Sequence, residues 1–272
     1  MARPPTSRAL RFAANGTFAT HGFWWMSAGP VETRSTTPVS REPGSERTPA
    51  WSSDGSRIFY AVGPEGFSGI YVKAASGAAP AELLVKLDHP ASSLDASNEG
   101  RFLAYASSTA TSTNDIWILP LQGDRIPRPY LQTLFNESHA RISPHSHWLA
   151  YDSDESGKAE VYVQTFPRPG GKWQISTNGG AQPIWRQDGK ELFYMQMDGT
   201  LMSVGVETHG STIEAGLPQV VFKIEMARLT STCRYTAMSD GKRFLLATPV
   251  GAVGDNASMT VVLNWTSGLI RK

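Results

Sequence analysis

The chain carries one cysteine, Cys233, among its 272 residues. An intrachain disulfide is therefore impossible, and so is a cysteine-built metal cluster. It also lacks charge of either sign in excess. The 25 basic and 24 acidic residues nearly cancel and only 18% of positions are charged, which gives no electrostatic drive toward nucleic acid or an acidic membrane. Long apolar runs are missing as well: no stretch approaches the about 18 uninterrupted apolar residues that span a bilayer. Met1 to Leu10 holds Arg3, Arg8 and two prolines but no apolar core, unlike a secretory signal. As written, the chain reads as soluble and unexported. No segment keeps helical periodicity for 11 residues or more, so helix is expected to be minor.

What the chain has is glycine and proline, 25 and 18 residues respectively, and a rich aromatic supply with eight Trp and eight Tyr. The glycines are not scattered. A short turn built on Asp-Gly, or a worn version of it, recurs six times: Ala13-Ala14-Asn15-Gly16, Ser52-Ser53-Asp54-Gly55, Ser97-Asn98-Glu99-Gly100, Ser143-Pro144-His145-Ser146, Gln187-Asp188-Gly189 and Ser239-Asp240-Gly241. Successive turns stand 39, 45, 46, 43 and 52 residues apart. A period of about 40–50 residues made of short strands is the signature of propeller blades.

The turn requires one residue at positive φ, hence Gly, and an Asp or Asn side chain satisfies nearby backbone donors. Four residues before the turn glycine stand Phe12, Trp51, Ala96, Ile142, Trp185 and Ala237; five after it stand Tyr60, Tyr105, Tyr151 and Tyr194, with His21 and Leu246 as departures. A third strand follows at Phe23–Met26, Ile70–Val72, Ile116–Leu119, Val161–Val163, Leu201–Val204 and Thr260–Leu263. A fourth is drawn at 83–87, 172–176 and 219–224. The expectation is an all-β chain folded as one six-bladed β-propeller over residues 1–272, with mostly four-stranded antiparallel blades near 9–43, 44–90, 91–137, 138–180, 181–233 and 234–272. The last blade is drawn with three strands, or the N-terminal segment closes the ring; Pro4 and Pro5 weigh against closure.

Several runs then become familiar. Tyr151-Asp-Ser-Asp-Glu-Ser-Gly157, Glu160-Val-Tyr-Val-Gln164, Gly171-Lys-Trp-Gln-Ile-Ser-Thr-Asn-Gly-Gly180 and Asp188-Gly-Lys-Glu-Leu-Phe-Tyr194 resemble stretches of TolB-like, WD-repeat-like six-bladed propellers. The closing Thr260-Val-Val-Leu-Asn-Trp-Thr-Ser-Gly-Leu269 resembles the end of propellers attached to bacterial serine/threonine protein kinases, especially those of Acidobacteria. The resemblance implies a sensor or interaction module, extracytoplasmic if the chain is a fragment of a membrane-anchored kinase. Kinase activity is not implied. The glycine-rich phosphate loop, the His-Arg-Asp run and the Asp-Phe-Gly motif are all missing.

Other chemistries stand or fall on their residues. A serine-hydrolase elbow fails because Gly66-Phe67-Ser68-Gly69 continues into Ile70 rather than glycine. Sialidase-type boxes fail because Asp directly precedes Gly and tyrosine follows where tryptophan belongs. Asp152, Asp154, Ser156 and Gly157 imitate the start of a calcium loop, but Val163 stands where a bidentate Glu is needed; the other reading is a polar hairpin tip. His139, His145 and His147 are the one histidine cluster, read either as zinc ligands or as turn and strand residues. The repeated tyrosines read as core.

The binding candidates come from the first strand of each repeat, which lines a propeller's channel. Seven residues before the turn stand Thr48, Ser93, His139, Gln182 and Arg234; five before it stand Arg11, Asp95 and Arg141. Alternation with period 2 sends this polar set to one side of the strand. The site expected is therefore Arg11, Asp95, His139, Arg141, Gln182 and Arg234 at the channel mouth, either as a recognition surface or as solvated, internally paired channel residues. A protein, a peptide or a small polar ligand would bind there, with no catalytic residue, metal or cofactor and no nucleic acid. The alternative is a propeller enzyme of metal-dependent lactonase or lyase type.

Overall fold

The computed structural model describes residues 25–27, 36–38, 45–63, 69–76, 79–108, 113–224 and 234–247. Every regular element among them is a strand, so no helix there is long and apolar enough to cross a membrane. The chain divides into two units, Met1–Leu134 and Phe135–Lys272.

In the first unit, β1 (Trp25–Ser27) and β2 (Thr36–Pro38) form an antiparallel ribbon. Two four-stranded antiparallel sheets follow, each ordered as in the chain. One is β3 (Ser45–Trp51), β4 (Arg57–Gly63), β5 (Gly69–Ala74) and β6 (Glu82–Lys86). The other is β7 (Ala91–Ala96), β8 (Phe102–Ser108), β9 (Asn114–Pro120) and β10 (Arg128–Leu131). The strand β10 has no counterpart among the expected fourth strands. Pro129 lies inside it and the register slips between Pro129 and Leu131, which a strand at a sheet edge tolerates.

The second unit repeats the plan with β11 (Glu137–Ile142), β12 (Trp148–Ser153), β13 (Glu160–Thr165) and β14 (Lys172–Gln174). Its next sheet holds β15 (Ala181–Trp185), β16 (Glu191–Met195), β17 (Thr200–His209), β18 (Thr212–Ala215) and β19 (Gln219–Lys223). The first half of β17 pairs with β19, and its second half folds back on β18. That extra hairpin accounts for the longest of the turn spacings. A last antiparallel pair, β20 (Arg234–Ala237) and β21 (Phe244–Ala247), closes the described residues. Six sheets are consistent with one per sequence repeat. The turn at 13–16, the strands drawn at 23–24 and 260–263, and Cys233 lie outside the described residues.

The turns are built as their residues dictate. Gly55, Gly100, Gly189 and Gly241 all adopt positive φ, between 64° and 72°. Each donates its N–H to the carbonyl three residues earlier, for example Gly55 to Ser52 at 2.8 Å. Asp54, Asp188 and Asp240 accept the N–H two residues on at 2.9–3.0 Å. Asp188 is also gripped by Arg186 through Nε and Nη2, at 2.8 and 2.9 Å, which lowers its carboxyl below the usual range. At the worn fourth turn Ser146 takes the same left-handed backbone, φ 55°, without being glycine.

The sheets pack face to face within each unit. Tyr60, Tyr105, Tyr151 and Tyr194 are all buried, as expected of core residues. Burial pushes the Tyr194 hydroxyl up to about 12 and that of Tyr105 higher still. Tyr60 stacks on its cross-strand partner Tyr71 at 5.8 Å, and Tyr151 on Tyr162 at 5.9 Å. Between the sheets of the second unit Ala150, Val161, Val163 and Ile175 meet Trp185, Leu192, Tyr194 and Val204. In the first unit Phe59, Ala61, Ile70 and Val72 meet Leu94, Leu103 and Tyr105.

Two substitutions at one turn position test the backbone reading in opposite directions. Ser146 carries a side chain in a left-handed conformation, and its buried hydroxyl has no hydrogen-bond partner among the described residues. Ser146→Gly is expected to stabilise by about 1 kcal/mol, the relief of left-handed strain less the added chain entropy. Gly189→Ala is expected to destabilise by about 1–2 kcal/mol for the same reason. Urea denaturation midpoints of the two variants and the parent would measure both.

Candidate functional site

In four repeats the first strand holds a feature that the turn pattern does not announce. Thr48, Ser93, His139 and Gln182, the residues seven before the turn, all have left-handed backbone, with φ of 48°, 53°, 52° and 55°. The register slips at each of them: between Arg47 and Ala50, Ser92 and Asp95, Ser138 and Arg141, and Ala181 and Ile184. Each is a β-bulge, one extra residue that bends its strand and leaves backbone groups outside the ladder. The strict period-2 ladder expected of these strands is therefore interrupted. The burial alternation survives it. In β11 His139 and Arg141 are half-buried while Ala140 and Ile142 are buried, and β15 shows the same with Gln182 and Ile184 against Pro183 and Trp185. In β7 Ser93 and Asp95 are half-buried around Leu94.

Three of the six expected residues meet in the second unit. His139 and Gln182 lie on the neighbouring strands β11 and β15, and one carboxylate joins them. Asp152 Oδ1, on β12, accepts from His139 Nδ1 at 2.8 Å and from the Gln182 backbone N–H at 2.9 Å. Arg141 takes part through its backbone: its carbonyl accepts from Trp185 Nε1 of β15 at 3.1 Å. Its guanidinium reaches the Ala140 carbonyl at 3.3 Å. The seam continues to β20, where Tyr235 donates its hydroxyl to the Gln182 carbonyl at 2.8 Å. Arg234 is the first residue of β20; its side chain lies outside the described residues, as does Arg11 altogether. Asp95 belongs to β7 of the first unit and pairs with Ala104.

Asp152 and Tyr235 were missing from the expected site. A signal for Asp152 exists in the repeat. Six residues after the turn position the other repeats carry Gly22, Ala61, Ala106, Met195 and Ala247. A carboxylate in a column of apolar residues must have a local partner, because an unpaired buried charge is prohibitively costly. Asp152 finds it in His139 and in the amide freed by the bulge at Gln182.

The calcium reading of 152–157 gives way to a hairpin tip. With Asp152 engaged, Asp154 accepts the Asn136 N–H at 2.9 Å, and its carbonyl takes the Gly157 N–H at 2.8 Å. A second buried carboxylate, Glu160, fastens the following loop by accepting from Gly179 N–H at 2.9 Å and from the Ser176 hydroxyl. The three clustered histidines go separate ways. His139 turns to Asp152, His145 is exposed and donates to the Asp188 carbonyl at 3.3 Å, and His147 is exposed. Among the described residues no three His, Cys, Asp or Glu side chains stand together as an ion site.

Comparison with known proteins speaks to the fold. No protein-family model matches the chain. No curated protein matches it either. Among solved structures it is similar to TolB from Acinetobacter baumannii, with a TM-score of 0.63 and 16% identity, over 85% of this chain and 55% of that one. It thus spans little more than half of that TolB. It is also similar to an oligogalacturonate lyase in complex with manganese (TM-score 0.60, 11% identity, 87% of this chain and 67% of that one). A third is the periplasmic gluconolactonase of Pseudomonas aeruginosa (TM-score 0.57, 12% identity, 85% and 73%). The chain is an all-β protein of antiparallel sheets with the propeller fold. Two of the three are enzymes by name, and a shared fold does not carry a shared activity.

The carboxylate at the seam has a measurable role. Asp152→Ala leaves the Gln182 N–H without its acceptor and is expected to cost about 1–3 kcal/mol. His139→Ala, which removes a half-exposed partner and leaves that N–H satisfied, is expected to cost less, about 0.5–1.5 kcal/mol. Chemical denaturation of the two variants side by side gives the ranking.

Proposed function

We propose that the chain is a non-catalytic binding propeller whose recognition surface is formed by the polar residues of its first strands: Arg11, Asp95, His139, Arg141, Gln182 and Arg234. The observation that carries this reading is the recurrent bulge. Four sheets hold a non-glycine residue in left-handed backbone at one repeat position. Strain of this kind persists where the surrounding structure holds it in place, and it gathers at functional positions. In the second unit the bulge residues His139 and Gln182 are organised around Asp152. A surface of mixed polar groups at a bulged strand suits a peptide or a small polar ligand. The proposal includes closure of six blades into one ring over residues 1–272.

A kinase-type receptor as the larger setting rests on the resemblance of residues 260–269, outside the described residues; the solved structures above lend it no support. A second reading, a metal-dependent lyase or lactonase, draws on the manganese-bound lyase and the gluconolactonase among the similar structures. The two readings separate on purified protein. The binding reading predicts that affinity purification with mass spectrometry finds a partner, and that replacing Arg141 and Arg234 together by Ala weakens it at least about tenfold. Unchanged affinity would remove the site assignment. Stoichiometric manganese or zinc retained after dialysis, measured by elemental analysis, would favour the enzyme.

A further inference from the structure

Resting on the binding reading above, we infer that His139 is the ligand-contacting group of this site, that Asp152 is its positioning residue, and that the ligand group it takes is a peptide amide.

The chemistry begins with the buried carboxylate. The Asp152 side chain is 7% exposed, whereas that of His139 is 36% exposed. A carboxylate accepts hydrogen bonds and does not donate them, so the 2.8 Å contact requires the hydrogen to sit on His139 Nδ1. In the neutral imidazole that leaves the lone pair on Nε2. His139 makes no other polar contact among the described residues, so Nε2 is left for an incoming donor. The Gln182 backbone is fully used, its N–H by Asp152 and its carbonyl by Tyr235. Its side-chain carboxamide has no polar partner among the described residues. An acceptor on His139 and a donor on Gln182 thus stand on adjacent strands, tethered to one oxygen.

A peptide carries what both need: an N–H for Nε2, and a carbonyl, from the same or a neighbouring amide, to accept from the Gln182 carboxamide. To the neutral ring a carboxylate or phosphate brings no hydrogen for Nε2. A bare metal ion would need further ligands, and no third His, Cys, Asp or Glu joins these two among the described residues. Both side chains issue from left-handed backbone, φ 52° and 55°, which restricts where they can go and lowers the entropy lost on binding.

Nitrogen-15 NMR of the imidazole tests the positioning role without any ligand. At a pH where the imidazole is neutral, the expected result is its proton on Nδ1 in the parent, reverting in Asp152→Ala to the Nε2–H form that dominates in free histidine. A parent ring with its proton on Nε2 would overturn the assignment. If Asp152→Ala fails to fold, the parent spectrum carries this arm alone. The second arm titrates a pool of acetylated, amidated tetrapeptides and, separately, glucose, while following the His139 Nε2 resonance. A saturable shift with the peptides, about three- to tenfold weaker in Gln182→Ala, supports the amide. A shift with glucose instead overturns the ligand class. Peptide binding that leaves His139 unmoved sinks this inference while the broader binding reading stands. A correct tautomer with no response to peptides, glucose or any purified partner sinks the binding reading and leaves Asp152's positioning role intact.

Discussion

A sheet of four or five short strands has two faces, and in the larger sheets of this chain both are largely buried. In β12 every residue from Trp148 to Ser153 is buried, and β4 is buried from Ile58 to Gly63. No such sheet can withdraw both faces from water alone, so within each unit the sheets depend on one another. That dependence explains why the residues recur in columns. A tyrosine five positions after the turn and a β-branched or aromatic residue on the third strand form the common filling, and Tyr stacked on Tyr across β4–β5 and β12–β13 is its repeated unit. A repeat protein of this kind owes its stability to the interfaces between modules as much as to the modules.

The same packing leaves the first strand of each of the four larger sheets in a special position. It must turn aside from the ladder, and it does so by an extra residue in left-handed backbone. The chain fills that position with Thr, Ser, His and Gln instead of the glycine that would relieve the strain. The amide released by a bulge needs an acceptor. In the second unit the acceptor is Asp152, which also holds His139. One geometric necessity of the fold thus creates a polar seam across β11, β12 and β15.

Much of the architecture was legible because turns obey strict local rules. Positive φ demands glycine in most cases, and Asp before it has a bond to make, so Gly55, Gly100, Gly189 and Gly241 announce themselves. The bulges were illegible for the complementary reason: Thr48, Ser93, His139 and Gln182 are residue types that give no hint of left-handed backbone. Alternation points to the polar set, and in β11 and β15 the burial alternates in that way, although the ladder beneath is not regular. Asp152 could be read only by comparing columns, where it replaces glycine, alanine or methionine. Three strands escaped notice, β2 (Thr36–Pro38) among them. Pro129 masked β10, and β18 lies in a hairpin that belongs to one repeat alone.

That hairpin has a practical side. Beyond the sheet, β17 and β18 pair with each other from Val206 to Ala215, and their tip at His209–Thr212 is exposed. Only Val206 and Ile213 anchor the pair in the apolar interior. A tip of this sort accepts foreign sequence, because lengthening a surface loop changes its closure entropy only slowly. An epitope or a fluorophore inserted between Gly210 and Ser211 would ride on a rigid stem in a different strand and turn from the His139 seam, giving a reporter for this sheet built into the chain itself.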